Sequence, residues 1–366
     1  MLLKSILYNY LPKFILEKLT YKNNSNKFGF LIHLGTINDI KKKYYLLNIL
    51  PNKLLLLLLS YLPPLLVSKI RGVDKFKEKL YGFIILCPIT ARQMLENKDL
   101  AIKKINEALK LSEKIGLKII GLGAYTSSVT NGGSDIIGKY NLAITNGNAY
   151  TCAIANKDIN RIIINYYENN YKNLIIAIIG ATGSIGSAVS KLLAQKKFKK
   201  LFLIGRNINN LKDLETNIRI FNKKTNLFLS TKIQDIKSAD LIIVTTSASG
   251  AIIKPEYIKN KTIIYDITQP RNVNKQLFST RKDVVVIDGG LVKTENINYE
   301  FNFNLPKNTI FACLAETMAL TIKEKFVNFS IGRVSLVKIN EIEKISKEIG
   351  FDSSPFLSFG SFINFK

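Results

Sequence analysis

The chain has 366 residues, 47% of them hydrophobic and 22% charged, which describes a folded protein with room for two or three domains and excludes a disordered one. Lysine and arginine outnumber aspartate and glutamate by 53 to 27, and the net charge of +26 favours acidic partners such as nucleic acid, anionic lipid or an acidic carrier protein. Three scattered cysteines (Cys87, Cys152, Cys313) with no CxxC argue against a disulfide framework or zinc site and fit a reducing cytosol, and a single histidine, His33, excludes any mechanism needing two. The lysines are spread along the chain among abundant isoleucine and asparagine, as AT-rich coding would give. With no RNA-binding motif carrying interleaved aromatics, no nucleic-acid partner is assigned.

Residues 1–27 read as an appendage, a basic amphipathic stretch ending in the polar run Lys22 to Lys27. It packs on the protein or frays, and it is also where a peripheral membrane contact is expected. Residues 28–155 read as an α/β domain. Phe28 to Leu34 is a strand carrying His33. Tyr44 to Val67 is the most hydrophobic segment, but Pro51 and Pro63-Pro64 interrupt it. The unbroken piece is too short to span a bilayer, so a buried helix lining an apolar pocket is expected. Tyr81 to Leu86 is a strand stopped by Pro88, Leu100 to Ile115 an amphipathic helix ended by Gly116, and Leu117 to Leu122 another strand. The loop after it, Gly121 to Ser127, sits where such folds carry sites, which makes Tyr125, Thr126 and Ser127 substrate candidates. Gly147-Asn148 precedes a connecting helix through Tyr167.

Residues 156–305 hold the stretch around which the chain is organised. An apolar strand, Leu174 to Ile179, runs into Gly180-Ala181-Thr182-Gly183-Ser184-Ile185-Gly186 and then a helix. Gly180 permits a tight turn, Gly183 lets backbone N–H groups approach a phosphate, and Gly186 allows close helix–strand packing, so the context of this fingerprint points to a dinucleotide. A second strand, Leu201 to Ile204, ends at Gly205-Arg206-Asn207. An acid there would bind the ribose hydroxyl of NAD; Arg206 instead suits the 2′-phosphate of NADPH, and Asn207 beside it is a further cofactor-binding candidate. Asp240 to Thr246, Thr262 to Asp266 and Val284 to Asp288 continue a doubly wound, Rossmann-type sheet, with Thr246 and Ser247 at a strand end facing the cofactor. Residues 306–366 read as a helical segment. Thr309 is the expected N-cap of a helix running from Ile310 to Phe326, which places Cys313 in the first turn, where the helix dipole lowers a thiol pKa. A cysteine nucleophile beside a reduced nicotinamide is the apparatus for reducing a thioester. From the residues alone, a buried structural cysteine reads equally well. His33 reads as a core histidine or as the acid that protonates the forming oxyanion.

Phe311-Ala312-Cys313-Leu314-Ala315-Glu316, followed by Asn328-Phe329-Ser330-Ile331-Gly332-Arg333, resembles the C-terminal signature of the cyanobacterial long-chain acyl-[acyl-carrier-protein] reductases. The glycine turn, the strand FGFLIHL, Gly123 to Ser127 and Gly147-Asn148 fall in the same order, and the resemblance covers roughly Phe28 to Phe351. It implies NADPH-dependent reduction of an acyl-carrier-protein or CoA thioester to fatty aldehyde in the cytoplasm. Cys313 would carry the acyl group, and Gly180, Gly183, Gly186 and Arg206 would hold the cofactor. It further implies an enzyme that consumes the aldehyde and a benefit from magnesium, for which no ligand cluster is visible. Two alternatives stand beside it. Asp266 to Val273 (DITQPRNV) is similar to a segment of glutamyl-tRNA reductases, although their nucleophile lies in the N-terminal domain. A non-catalytic NADPH-binding protein would keep the glycine turn and make Cys313 dispensable. A shikimate-dehydrogenase-like reading lacks its lysine–aspartate pair in the first domain.

Overall fold

The computed structural model describes residues 2–20, 27–246 and 253–364. Ser247 and most of the polar run from Lys22 to Lys27 lie outside these residues. The first part of the chain contains α1 (Leu2–Tyr8), α2 (Lys13–Thr20), β1 (Lys27–Leu34), α3 (Ile37–Lys43), α4 (Asn52–Tyr61), β2 (Leu65–Gly72), β3 (Tyr81–Thr90), α5 (Ala91–Glu96), α6 (Lys98–Lys114), β4 (Ile119–Leu122), α7 (Tyr125–Val129) and β5 (Ala143–Thr145). The sheet order is Ile297–Tyr299, β2, β3, β1, β4, β5. The last four run parallel, β2 is antiparallel to β3, and the edge strand is antiparallel to β2. Parallel strands covered on both faces read as unbroken apolar runs, as β1 and β3 do. On one face α6 buries Ala101, Ile105, Ala108 and Leu109 at helical spacing. The Asn97 side chain, accepting from Leu100 N–H at 3.0 Å, caps its start.

Two expectations change here. β3 does not stop at Pro88 but continues to Thr90. The register slips opposite it, between His33 and Leu34, and this irregularity accommodates the missing N–H of the proline. Tyr44 to Val67 is not one buried helix. The prolines divide it into a 3₁₀ turn (Tyr45–Ile49), the ten-residue α4 and the start of β2. α4 buries only Leu55 and Leu59, and it does not line the cavity described below. Among the described residues no helix is long and apolar enough to cross a membrane.

α8 (Asn148–Tyr167) leads into the second sheet, built from β6 (Ile175–Ile179), α9 (Ser184–Ala194), β7 (Lys200–Ile204), α10 (Ile208–Phe221), β8 (Leu227–Ser230), β9 (Leu241–Val244), β10 (Ile263–Asp266), α11 (Lys275–Thr280) and β11 (Val285–Asp288). The order is β8-β7-β6-β9-β10-β11, all parallel. This is the doubly wound Rossmann order, and the chain reverses direction across the sheet between β6 and β9. Sequence reading misses β8, a four-residue edge strand with one buried residue.

The remainder does not stand apart as a helical segment. Ile297–Tyr299 joins the first sheet, and Thr309–Phe311 pairs with Leu291–Lys293. Thr309 is therefore a strand residue, and Phe311 precedes α12 (Ala312–Ile322) as its N-cap. α12 is buried along almost its whole length against α8, β1 and β4, and α13 (Leu336–Ile349) packs on α8. The C-terminal helices thereby pack on the connector α8, and α12 packs on the first sheet as well.

Candidate active site

A cavity of about 840 Å³ lies at the carboxyl ends of the strands of both sheets. The glycine turn forms one wall. Gly180 has φ +81°, and a Cβ there would stand 2.9 Å from the Thr246 backbone. A Cβ at Gly186 would stand 2.2 Å from the Gly180 carbonyl oxygen, so α9 sits directly against the turn. Gly183 is the roomier position, with its nearest neighbour at 3.3 Å. Thr182, Gly183, Ser184 and Ile185 face the cavity at the start of the 11-residue α9. Its free N–H groups and positive dipole end suit a pyrophosphate, and the bare glycine leaves room for one. Arg206 lines the cavity beyond β7, exposed and in no ion pair among the described residues. Asn207 is used otherwise, its side chain accepting from Asn209 N–H at 2.8 Å and Asn210 N–H at 3.2 Å to cap α10. Thr246 lines the cavity and Gly186 lies behind it. These residues fit a dinucleotide.

Cys313 lines the same cavity as the second residue of α12. Gly147, with φ +76°, lies so close that a Cβ there would stand 2.2 Å from the Cys313 Cβ. The thiol does not follow the helix-dipole expectation. Desolvation pushes it up to about 12, and the carboxyl of Glu316 nearby adds to the rise. A partial dipole charge is worth less than the loss of water around a thiolate. Cys87 and Cys152 are fully buried, as a structural role requires.

Sequence reasoning passed over Glu316. Its carboxyl is fully buried one turn below Cys313, where it accepts from the Thr145 hydroxyl and from Tyr150 N–H at 2.8 Å. It thus fixes the β5–α8 turn, which holds Gly147, to α12. Burial raises its pKa. A lone acid inside FACLAETMALTI was the available signal. Asn148 was also understated. Its Nδ2 donates to Ser184 Oγ at 3.2 Å, and that hydroxyl donates to the Gly332 carbonyl at 3.1 Å. Gly332 N–H in turn donates to the Gly132 carbonyl at 3.0 Å. The separated motifs containing Gly132, Asn148, Ser184 and Gly332 are therefore one junction beside the glycine turn.

Tyr125 and Ser127 line the cavity. Thr126 does not; it is buried, with its hydroxyl donating to the Gly123 carbonyl at 2.7 Å. His33 is also absent from the lining and stands behind Tyr125, its ring stacked at 5.4 Å. Its Nδ1 lies 2.8 Å from the Leu34 carbonyl, which only an N–H can satisfy, and Nε2 accepts from Tyr125 N–H at 3.3 Å. Burial lowers its pKa, so the ring is neutral and holds no proton directed at the cavity.

The DITQPRNV segment forms the opposite wall. The Asp266 carboxyl gathers it by accepting from Thr268 N–H and hydroxyl, Asn272 N–H and Val273 N–H at 2.5–3.1 Å, and Thr268, Gln269 and Pro270 face inward. Beneath it, Tyr265 donates to the buried Asp158 at 2.7 Å and accepts from Gly290 N–H at 3.1 Å. The Gly290 carbonyl accepts from Ala312 N–H at 2.9 Å, next to Cys313. Among the described residues no group of three or more His, Cys, Asp or Glu could hold a metal ion.

Comparison with known proteins follows this division of the chain. The Shikimate / quinate 5-dehydrogenase family model matches residues 153–288, the second sheet and its connector but not the first. Aminotransferase PigE of a Serratia species is 26% identical over 77% of this chain, yet the chain spans only 33% of that protein. The long-chain acyl-[acyl-carrier-protein] reductase of Synechococcus elongatus is 26% identical over 80% of this chain and 88% of its own length. Glutamyl-tRNA reductase of Caldivirga maquilingensis is 33% identical over 29% of this chain and 25% of its own. Together the matches relate the chain to NAD(P)-dependent oxidoreductases, a class rather than a single reaction.

Proposed function

We propose that the protein reduces a long-chain fatty acyl thioester, carried by acyl carrier protein or CoA, to the fatty aldehyde with NADPH. One observation carries this reading: the glycine turn and Cys313 line the same cavity. Gly180, Thr182 to Ile185 and Thr246 would hold the dinucleotide, with Arg206 on its 2′-phosphate. Bound NADPH supplies the hydride. The Cys313 sulfur bonds to the acyl carbon as the bond to the carrier sulfur breaks, and the thiol proton leaves with the carrier thiolate. After reduction the Cys313–carbon bond breaks, releasing aldehyde, and the departing thiolate takes a proton from solvent to restore the thiol. With a pKa raised to about 12, Cys313 is a resting thiol that must lose its proton only once substrate is bound. His33 serves as a support for Tyr125, not as the acid. The net charge of +26 suits an acidic carrier protein, and release of a reactive aldehyde fits a partner enzyme that consumes it.

The glutamyl-tRNA reductase reading draws on the DITQPRNV wall. It needs a nucleophile in the first domain, where Cys87 and Cys152 are fully buried. Following NADPH oxidation with acyl-carrier protein, acyl-CoA and glutamyl-tRNA in turn separates the two. Turnover and aldehyde are expected with the acyl thioesters only, and turnover with glutamyl-tRNA alone would overturn the proposal. Arg206→Ala should raise KM for NADPH by about tenfold or more, the scale of one charge-assisted hydrogen bond, and leave NADH nearly unchanged.

A further inference from the structure

Between Asp39 and Asp74 the chain has no acidic residue, while Lys41, Lys42, Lys43 and Lys53 lie within it. This acid-free stretch also carries the largest run of exposed apolar side chains. The turn Tyr45–Ile49 buries none of its residues, and Tyr45, Leu46 and Ile49 are 84%, 79% and 82% exposed. In α4, Leu55 and Leu59 face inward, and Leu54, Leu57, Leu58 and Tyr61, spaced i, i+3, i+4 and i+7, form an outward stripe. A helix apolar around its whole circumference is normally buried on all sides, but this one is covered on only one. Its ten residues reach about 15 Å, half the hydrocarbon thickness, so it can lie on a bilayer but not cross one. Near the end of α4, Asn9 Nδ2, just past α1, donates to the Pro64 carbonyl at 3.0 Å, and Leu7 and Tyr10 are exposed.

We propose that residues 44–61 are a membrane-contact surface that seats the protein on an anionic bilayer. The apolar turn and outward stripe would enter the headgroup boundary, and the exposed Lys42 and Lys53 would meet acidic headgroups. Charge complementarity selects this occupant. An exposed apolar stretch that carries lysines and no acid of its own, in a chain of net charge +26, matches an anionic lipid surface, whereas a second copy would bring like charges together. The contact belongs here rather than to residues 1–27 alone, and it does not rest on the role given to Cys313.

Flotation of the full chain with vesicles tests the proposal without cofactor or thioester. The protein should float with phosphatidylcholine vesicles containing about 30 mol% phosphatidylglycerol, less with phosphatidylcholine alone, and less as salt rises. The variant Tyr45→Ser/Leu46→Ser/Ile49→Ser should lose most of that binding with an unchanged melting curve, because these side chains bury nothing. Lys42→Glu/Lys53→Glu should abolish the preference for anionic vesicles. Absence of flotation by the wild type overturns the proposal, as does equal flotation of the apolar variant. Concentration-dependent dimerisation that the same variant abolishes would assign the face to a second copy instead.

Discussion

Cys313 shows how much a thiol depends on its neighbours. Position on a helix start predicts an acidified thiol, but desolvation, with the buried Glu316 carboxyl nearby adding to it, pushes the thiol up to about 12. Alkylation reports the difference. Iodoacetamide should label Cys313 ahead of the fully buried Cys87 and Cys152, with a rate climbing about tenfold per pH unit from 7 to 10, because each unit below the pKa multiplies the thiolate fraction. A rate already level near pH 7 would reveal a lowered pKa and contradict this account. The glycine turn, Arg206 and Cys313 were legible because each has a local signature. Glu316 and Asn148 were not, since their roles come from partners such as Thr145, Tyr150 and Ser184, far away in sequence.

At the scale of elements, Asp158, Tyr265 and Gly290 connect α8, β10 and the turn after β11 in one hydrogen-bonded series that reaches Ala312 N–H, beside Cys313. Burial raises the Asp158 pKa to about 6, against about 4 when unfolded. The native state thus holds the extra proton between these values, and stability contributed through this group falls as pH rises from 4 to 6, then levels off. Burial of Glu316 and Asp266 acts in the same direction. Asp158→Asn should flatten the wild-type slope by up to about 3 kcal/mol across that window, measured by urea unfolding at a series of pH values. An identical slope in the variant would show that the carboxyl is not the titrating group. Elements with strong periodicity, such as α6 and α9, could be read directly. α4 could not, because apolar content does not say whether a helix is covered. Nor could the continuation of β3 past Pro88, which depends on a register slip in its partner strand.

Over the whole molecule, the sequence pattern separates two α/β units but hides how they are joined. Ile297–Tyr299 returns to the first sheet and α12 and α13 pack on the connecting α8, pairings that span most of the chain and leave no local periodicity. This return brings Cys313 to the glycine turn and builds one cavity from both sheets. The central claim is that the cavity reduces an acyl group held on that sulfur. Intact-mass measurement after incubation with an acyl-carrier-protein thioester, without NADPH, tests it most directly. The wild type should gain the mass of the acyl group and lose it when NADPH is added, while Cys313→Ala should gain nothing and still bind NADPH. An unchanged adduct on Cys313→Ala, or full reductase activity in that variant, would contradict the account.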